Sequence, residues 1–182
     1  MQKTKRSKRT KYGVDAVLKK VRGIEDVILK GSLLAIDPSC ISTSSLPGWA
    51  LYKNSKLVSS GVISGIDPTS ALEKRLQFIG KYCREFFDEP DVLVLEHIQM
   101  GGRISMQSTI RATGAILGSF ECEHVISILP LSWQKAVLEE LNLTGNTDYQ
   151  KYKEYKEKIK SDEEDAKWIG RGVIKIVEDS LK

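Results

Sequence analysis

Apolar and polar positions along the first third of the chain predict three consecutive strands. The apolar run 33–36 ends on Asp37 and predicts a buried strand. Residues 49–53 and 57–64 predict a second and a third strand, joined by a tight turn at Asn54 and Ser55. The closeness of the three strands along the chain predicts an antiparallel meander.

The middle of the chain combines helical periodicity with two further apolar runs. Apolar residues at helical spacing predict a helix over 70–87, and Ser70 with Glu73 predicts a capping box at its start. The uninterrupted run 91–96 predicts a strand that is buried on both faces. Residues 125–129 predict another short strand, so that the sheet has five strands in all.

Three more helices follow from the pattern of the second half. Residues 104–123 predict a helix rich in small residues, in which Gly114 and Gly118 form a flat face for close packing. Ser132 predicts the cap of a helix through about Leu141. A last helix is predicted over 162–182, on which Ala166, Ile169, Val173, Ile176 and Leu181 lie along one side.

Two segments leave the type of element open. Residues 14–29 are compatible with a short amphipathic helix and with an extra strand, and the Lys-rich residues 149–160 are compatible with a helix. The remaining order, β-β-β-α-β-α-β-α-α, predicts an α/β fold. We expect a mixed five-stranded sheet, three antiparallel strands followed by helix-linked parallel strands, with helices on both faces.

Charge is distributed unevenly along the 182 residues. Residues 1–22 carry nine Lys or Arg and one acid, a net +8 that leaves −4 of the total +4 for the rest of the chain. Residues 1–13 lack apolar periodicity and are expected to be disordered when free. We therefore predict a basic, partly disordered extension over 1–30 and one domain over 31–182. Such an extension is typical of proteins that bind polyanions, although a solvated tail that binds nothing has the same composition.

Cysteines and long apolar runs exclude several classes of protein. Three widely spaced cysteines argue against a disulfide framework and a zinc ribbon, and they fit a reducing compartment. No apolar run is long enough to cross a membrane, and none follows the basic N-terminus as in a secretory signal. We expect a cytoplasmic protein without a membrane partner.

Four acidic residues stand where a buried core does not require them. Asp37 ends the first strand and Glu96 ends the most apolar strand, while Asp162 and Asp165 share a face at the start of the last helix. Each has an ordinary structural explanation: a turn former, a solvated strand end, or acids that complement a helix dipole. Together they are better explained by one shared site, because all four can reach one edge of one sheet.

Clustered carboxylates need a cation, because they repel one another and raise one another's pKa values. Oxygen ligands suit Mg²⁺, and two such ions can clamp the attacking and leaving oxygens of a phosphodiester. We therefore expect two Mg²⁺ ions per active site, with Mn²⁺ as a substitute, held by these acids.

Four short segments, AIDPS (35–39), GWAL (48–51), VLVLEHIQMGG (92–102) and SDEEDA (161–166), carry a resemblance to a known family. In this order they resemble the RuvC-type Holliday junction resolvases of the RNase H-like superfamily, and small phage members above all. The resemblance runs from about Leu33 to the C-terminus. It implies an RNase H-like nuclease domain and a homodimer that nicks two opposed strands of a four-way or otherwise branched DNA. It also implies a crossover junction endodeoxyribonuclease of DNA recombination and repair, in the cytoplasm of a bacterium or a phage-infected cell.

The resemblance also assigns residues. The four metal-binding and catalytic acids of the family fall on Asp37, Glu96, Asp162 and Asp165. The stretch PLSWQK places Lys135 near the scissile phosphate, as a catalytic and DNA-binding residue. Outside the resemblance, basic residues at the N-terminus are expected to contact phosphates without reading sequence. The predicted DNA-binding residues are Lys5, Arg6, Lys8, Arg9, Arg103, Arg111 and Lys135.

This sequence departs from the family pattern at two places. Cys40 and the serines around it replace a glycine-rich turn, and Gln99 and Met100 stand where bacterial members have an aromatic that stacks on an unpaired base.

Other functions share part of the pattern. A ribonuclease H carries its glutamate on the first helix, whereas Glu96 ends a strand, and transposases have longer chains and a final glutamate. The actin-like ATPase and sugar kinase fold needs two domains and glycine-rich loops. A non-catalytic DNA-binding protein, in which the basic arm binds and the acids are helix caps, stays open.

Overall fold

The computed structural model describes residues 6–38, 46–96, 104–138, 140–141, 143, 146, 148–158 and 161–182. Its strands are β1 (Ser32–Asp37), β2 (Gly48–Lys53), β3 (Lys56–Val62), β4 (Val92–Glu96) and β5 (His124–Ile128). Its helices are α1 (Arg6–Val21), α2 (Glu25–Lys30), α3 (Leu72–Phe86), α4 (Ile104–Leu117), α5 (Pro130–Val137), α6 (Asp148–Lys158) and α7 (Asp162–Ser180).

The five strands form one mixed sheet in the order β3-β2-β1-β4-β5. β1 pairs antiparallel with β2 and β2 antiparallel with β3, whereas β4 is parallel to both β1 and β5. Asn54 and Ser55 have φ values of 51° and 63°, which is the left-handed geometry of a two-residue hairpin turn. The predicted meander and the predicted α/β sheet with parallel additions are confirmed.

Alternating side chains of the central strands supply two hydrophobic cores. Leu33 and Ala35 of β1 face a core built with α1, α2, α5, α6 and α7, and Leu34 and Ile36 face a core built with α3 and α4. Because side chains alternate along a strand, Asp37 has the parity of Ala35 and belongs to the α7 face.

The N-terminal part of the described chain is helical and packs on the α7 face. Val17 and Val21 of α1 and Ile28 of α2 are buried in the same core as α5 and α7. The open choice over 14–29 is therefore settled as helix. The structure describes residues 6–13 as the first turns of α1, and their expected disorder in the free protein stays a prediction.

Two predicted helix boundaries are corrected. α3 begins at Leu72 after Ala71 without a side-chain cap, and the hydroxyl of Ser70 instead donates to the carbonyl of Asp67 at 2.8 Å, so there is no capping box. α4 ends at Leu117, six residues before the predicted end. Beyond it the hydroxyl of Ser119 donates back to the carbonyl of Ala115, and this local bond replaces a further helical turn.

The last helices follow the sequence more closely. α5 starts with Pro130 in its first turn, so Ser132 lies inside the helix and is not its cap. The helix predicted as compatible with 149–160 is present as α6. α7 is capped by Ser161, whose side chain accepts a hydrogen bond from the amide of Glu164 at 3.2 Å. None of the helices in the described ranges has the length and apolarity needed to cross a membrane.

Candidate active site

Two acids stand side by side where parallel strands end. Ile36 of β1 pairs with Leu95 of β4, so the next residues, Asp37 and Glu96, end their strands at the same edge of the sheet. We call this the carboxyl edge. Asp37 is only 8% exposed and Glu96 is half-buried. Their shared parity directs both toward the helices of the α7 face.

The first turn of α7 lies directly against this edge. Gly48 pairs with Asp37 across β1 and β2, and a Cβ built on Gly48 would overlap the carbonyl oxygen of Asp162. The amide of Leu46 donates to Oδ2 of Asp162 at 3.1 Å. The absence of a side chain at position 48 thus brings the acidic start of α7 next to the end of β1.

A buried tyrosine binds one of the acids directly. The hydroxyl of Tyr155, on α6, donates to Oδ1 of Asp165. Burial raises the pKa of Tyr155 far above its usual value, and the negative charges of Asp165, Glu96 and Asp37 raise it further. The phenol therefore stays protonated at neutral pH and keeps its hydrogen for Asp165.

Glu96 has an aromatic donor of its own. The indole N–H of Trp133, on α5, donates to Oε1 of Glu96 at 2.9 Å. The rings of Trp133 and Tyr155 meet edge to face, with centroids 5.7 Å apart and planes at 69°. Two neighbouring aromatic side chains thus each bind one acid of the predicted site.

The four predicted acids have different partners in the structure. Glu96 and Asp165 bind aromatic side chains, whereas the carboxylate of Asp162 binds the amide of Leu46 in the segment that leads into β2. Asp162 is nevertheless adjacent through its backbone, which touches Gly48 beside Asp37. The structure brings all four to one corner of the carboxyl edge without directing all four at one point.

The chemistry of these donors fits a hard divalent cation. No three His, Cys, Asp or Glu side chains within the described ranges are arranged to hold a metal ion. Mg²⁺, however, commonly takes one or two protein carboxylates and completes its shell with water and phosphate oxygens. Asp37 and Glu96 supply two carboxylates of this type side by side at the carboxyl edge, so the residues fit Mg²⁺ or Mn²⁺.

The predicted basic residues lie at the surface or outside the described ranges. Lys135 is exposed on α5, two positions after Trp133, so the two side chains leave the helix roughly 200° apart. Arg111 on α4 is exposed, with its guanidinium 3.9 Å from the carboxylate of Glu73. Arg6, Lys8 and Arg9 belong to the first turns of α1. Lys5 and Arg103 lie outside the described residues.

Sequence reasoning missed the role of Tyr155. The segment that contains it reads as polar and Lys-rich, yet Tyr149, Tyr152 and Tyr155 recur at a spacing of three, which places them near one helix face. That spacing was the available signal. Trp133 was expected to be a core or interface aromatic, and it is buried, but its bond to Glu96 has no signature in the sequence.

Comparisons with known proteins find the same fold elsewhere. No protein-family model and no curated protein matches the sequence. Among solved structures, Thermus thermophilus RuvC is 18% identical, with a TM-score of 0.58 over 82% of this chain and 96% of that one. T. thermophilus RuvC in complex with Holliday junction substrate is also 18% identical, with a TM-score of 0.55 over 78% and 90% of the two chains. This likeness confirms the predicted RNase H-like fold of the RuvC type.

Proposed function

We propose that this protein is a metal-dependent, structure-selective endonuclease, a crossover junction endodeoxyribonuclease that resolves Holliday junctions or related branched DNA. The observation that carries the proposal is the pair of acids at the carboxyl edge, Asp37 and Glu96, with the acidic first turn of α7 packed against Gly48 beside them. The fold supports it, because a protein of the same fold, T. thermophilus RuvC, has been solved with a Holliday junction substrate.

Each acid has a distinct part in this proposal. Asp37 and Asp165 would hold the metal ions, and Glu96 and Asp162 would complete the set of oxygen ligands. The bound ions would supply activation of water and neutralisation of charge on the phosphodiester. The burial of Asp37 supports its central place, since a nearly buried carboxylate is stabilised by a bound cation more than an exposed one is.

Basic residues would hold the DNA and balance the charge of its phosphates. Lys135 on α5 belongs to the helix whose Trp133 reaches Glu96, and its exposed ammonium is available to a phosphate outside the acidic corner. Arg111 and Arg103 would also contact the DNA. These contacts give affinity without sequence selection, as a structure-selective nuclease requires.

The course of α1 suits a role in DNA binding. Gly13 of α1 lies against Ser132, in the first turns of α5 beside the carboxyl edge, and Lys20 donates to the carbonyl of Ser127 within β5. Both contacts of α1 lie near the carboxyl edge, because Ser127 pairs with Leu95, the residue before Glu96. Residues 6–12 precede Gly13 and extend the helix by about 10 Å at the helical rise. The basic start of the chain would thus stand beside DNA bound at the acids.

A homodimer would present two such sites to the two opposed strands of a junction. Ile110 and Leu117 of α4 are 44% and 39% exposed, and Gly114 between them has open space where a side chain would lie. None of the described residues covers the flat face predicted at Gly114, and this face would suit a second copy.

The test of the function is cleavage of a labelled four-way junction beside a linear duplex and an RNA–DNA hybrid. We expect paired nicks on opposed strands of the junction with Mg²⁺ or Mn²⁺, and none with EDTA. Binding of the junction without nicks in either metal would favour the non-catalytic DNA-binding protein. Cleavage of the hybrid alone would favour a ribonuclease H.

The Asp37→Asn variant tests the central ligand. It keeps the shape of the side chain but removes its charge, so we expect cleavage to fall by more than the roughly 10–100-fold that is typical of changes in outer contacts of a metal site. Junction binding in EDTA should be unchanged. Asp179→Asn, at the far end of α7 where Asp179 pairs with Lys175 and Lys182, is the matched control and should cut normally. Normal cleavage by Asp37→Asn would contradict the mechanism.

A further inference from the structure

Trp133 and Tyr155, which we call the aromatic pair, are unusual among the buried aromatic residues of the described chain in their polar partners. Both side chains are 1% exposed, and both polar hydrogens go to acids of the candidate site. A buried Trp or Tyr needs only some acceptor for its N–H or O–H, and a backbone carbonyl suffices. Tyr52 has that ordinary solution, since its hydroxyl donates to the carbonyl of Lys167 at 2.5 Å.

The aromatic pair is held in place from several sides. A Cβ on Gly172 of α7 would stand 2.6 Å from the Cβ and 2.9 Å from the Cα of Trp133, so α7 and α5 approach closely where the Trp133 side chain begins. The two rings support each other edge to face. The polar hydrogens of the pair therefore point from fixed positions, one at Glu96 on β4 and one at Asp165 on α7.

We propose that Trp133 and Tyr155 are positioning residues that hold the carboxylates of Glu96 and Asp165 in the orientation in which they ligate the metal. The inference rests on the proposed function. A hydrogen bond to one oxygen of a carboxylate fixes its rotation and leaves the carboxylate able to ligate through its other lone pairs. Fixing two carboxylates before the metal arrives removes part of the ordering cost of binding.

The proposal gives α6 a role at the metal centre that its polar, Lys-rich sequence does not indicate. Apart from Tyr155, most of the described side chains of this Lys-rich helix are partly or fully exposed. Its buried tyrosine reaches an acid on α7 across ten residues of sequence. α6 would thus be part of the metal centre through a single side chain.

The test compares two tyrosine variants that lose the same atom. Tyr155→Phe removes the hydroxyl bound to Asp165 of α7 and keeps the ring against Trp133. Tyr52→Phe removes a buried hydroxyl that is bound to a backbone carbonyl of α7. Binding of Mn²⁺ to the DNA-free protein is measured by titration calorimetry, and the Mg²⁺ midpoint of junction cleavage is measured separately from the rate at saturating metal.

We expect Tyr155→Phe to weaken Mn²⁺ binding and raise the Mg²⁺ midpoint by about tenfold or more, as for other contacts that orient metal ligands. Tyr52→Phe should leave both unchanged, whatever its effect on the melting temperature. Trp133→Phe should change the midpoint in the same direction as Tyr155→Phe.

Two results would overturn the inference. Equal Mg²⁺ midpoints for Tyr155→Phe and Tyr52→Phe would mean that the aromatic pair only packs in the core. Tighter Mn²⁺ binding by Tyr155→Phe would mean that the hydroxyl of Tyr155 competes with the metal for Asp165. Failure of the proposed function is distinguishable, because a wild-type protein that binds Mn²⁺ but cuts no branched DNA still gives a binding result for each variant.

Discussion

Gly48 shows how one missing side chain shapes the candidate site. It pairs with Asp37 across the sheet, and its Cα faces the carbonyl carbon and oxygen of Asp162 so closely that any Cβ would overlap them. Both neighbours are backbone, which cannot rotate away as a side chain can. The distance between the end of β1 and the start of α7 therefore depends on glycine at this position.

We expect Gly48→Ala to displace the first turn of α7 and to reduce both stability and cleavage. Overpacking of this kind typically costs about 1–3 kcal/mol of unfolding free energy. Gly114→Ala is the control for stability alone, since a Cβ there meets open space and alanine favours a helix interior by about 0.5–1 kcal/mol, while Gly114 also lies on the proposed dimer face. Thermal unfolding and junction cleavage measure the two effects. A Gly48→Ala variant with wild-type stability and activity would show that α7 is not held by this contact.

Between elements, the opposite edge of the sheet is joined by a polar contact that involves none of the candidate site acids. The carboxylate of Asp91, before β4, accepts from the backbone N–H of Ser32 at 2.7 Å and from its hydroxyl at 2.8 Å. The hydroxyl of Ser32 accepts in turn from the amide of Asp91 at 3.0 Å. These bonds join the beginning of β1 to the beginning of β4. The acids of the candidate site, Asp37 and Glu96, lie at the other ends of the same two strands.

This contact predicts a pH dependence of stability. The two hydrogen bonds from Ser32 lower the pKa of Asp91 below its usual 3.8. A group whose pKa is lower in the folded state stabilises the fold above its unfolded pKa, and that contribution is lost as pH falls through the folded pKa. Asp91→Asn should therefore lower the melting temperature most near neutral pH, and the difference from wild type should shrink as pH falls from about 4 toward 3.

The matched control for this prediction is Asp26→Asn. Asp26 forms an exposed pair with Lys30 on α2, and such pairs contribute little to stability. Its melting temperature should follow that of the wild type at every pH. A difference for Asp91→Asn that is constant from neutral to acid pH would mean that the charge of this carboxylate does not stabilise the strands.

The elements that sequence predicts best are those whose burial is decided locally. β1 and β4 are continuous apolar runs, so the sequence was sufficient to put Asp37 and Glu96 at the ends of two strands. The choice between helix and strand over 14–29 stayed open because α1 and α2 are stabilised by packing on α5 and α7, which no local pattern records. The end of α4 was missed because Ser119 can bond its own helix or continue it, and only the folded chain decides.

The candidate site was predictable to the same extent and for the same reason. Acids at strand ends and at a helix start can be read from the chain, and their meeting at one edge follows from the topology. The partners of those acids cannot be read in this way. Trp133 and Tyr155 reach Glu96 and Asp165 from helices that are 37 and 10 residues away in sequence. The hydrogen bond that the carboxylate of Asp162 accepts likewise depends on the path of the chain, because its donor is the backbone amide of Leu46.

In the whole molecule, acidic and basic groups are separated in a way that suits a nuclease. The acids gather at one corner of the carboxyl edge, while the excess positive charge lies in the N-terminal residues. An acidic site repels the phosphates that it must approach, so attraction has to come from elsewhere on the protein. Six Lys or Arg and no acid occur in residues 1–12, ahead of the position where α1 docks on α5.

Deleting residues 1–12 should therefore weaken DNA binding without changing the chemistry. The buried residues of α1, Val17 and Val21, are retained, so circular dichroism and thermal unfolding should be close to wild type. Junction affinity should fall, and the slope of log K against log[salt] should become shallower by about 0.9 for each phosphate that the protein no longer neutralises. Positions of the nicks should be unchanged, because phosphate contacts carry no sequence information. A chain in which the same six Lys and Arg are replaced by Gln separates charge from length and should behave like the deletion. An unchanged salt slope in both proteins would place the DNA-binding charge elsewhere, for example on the exposed side chains of Lys135 and Arg111.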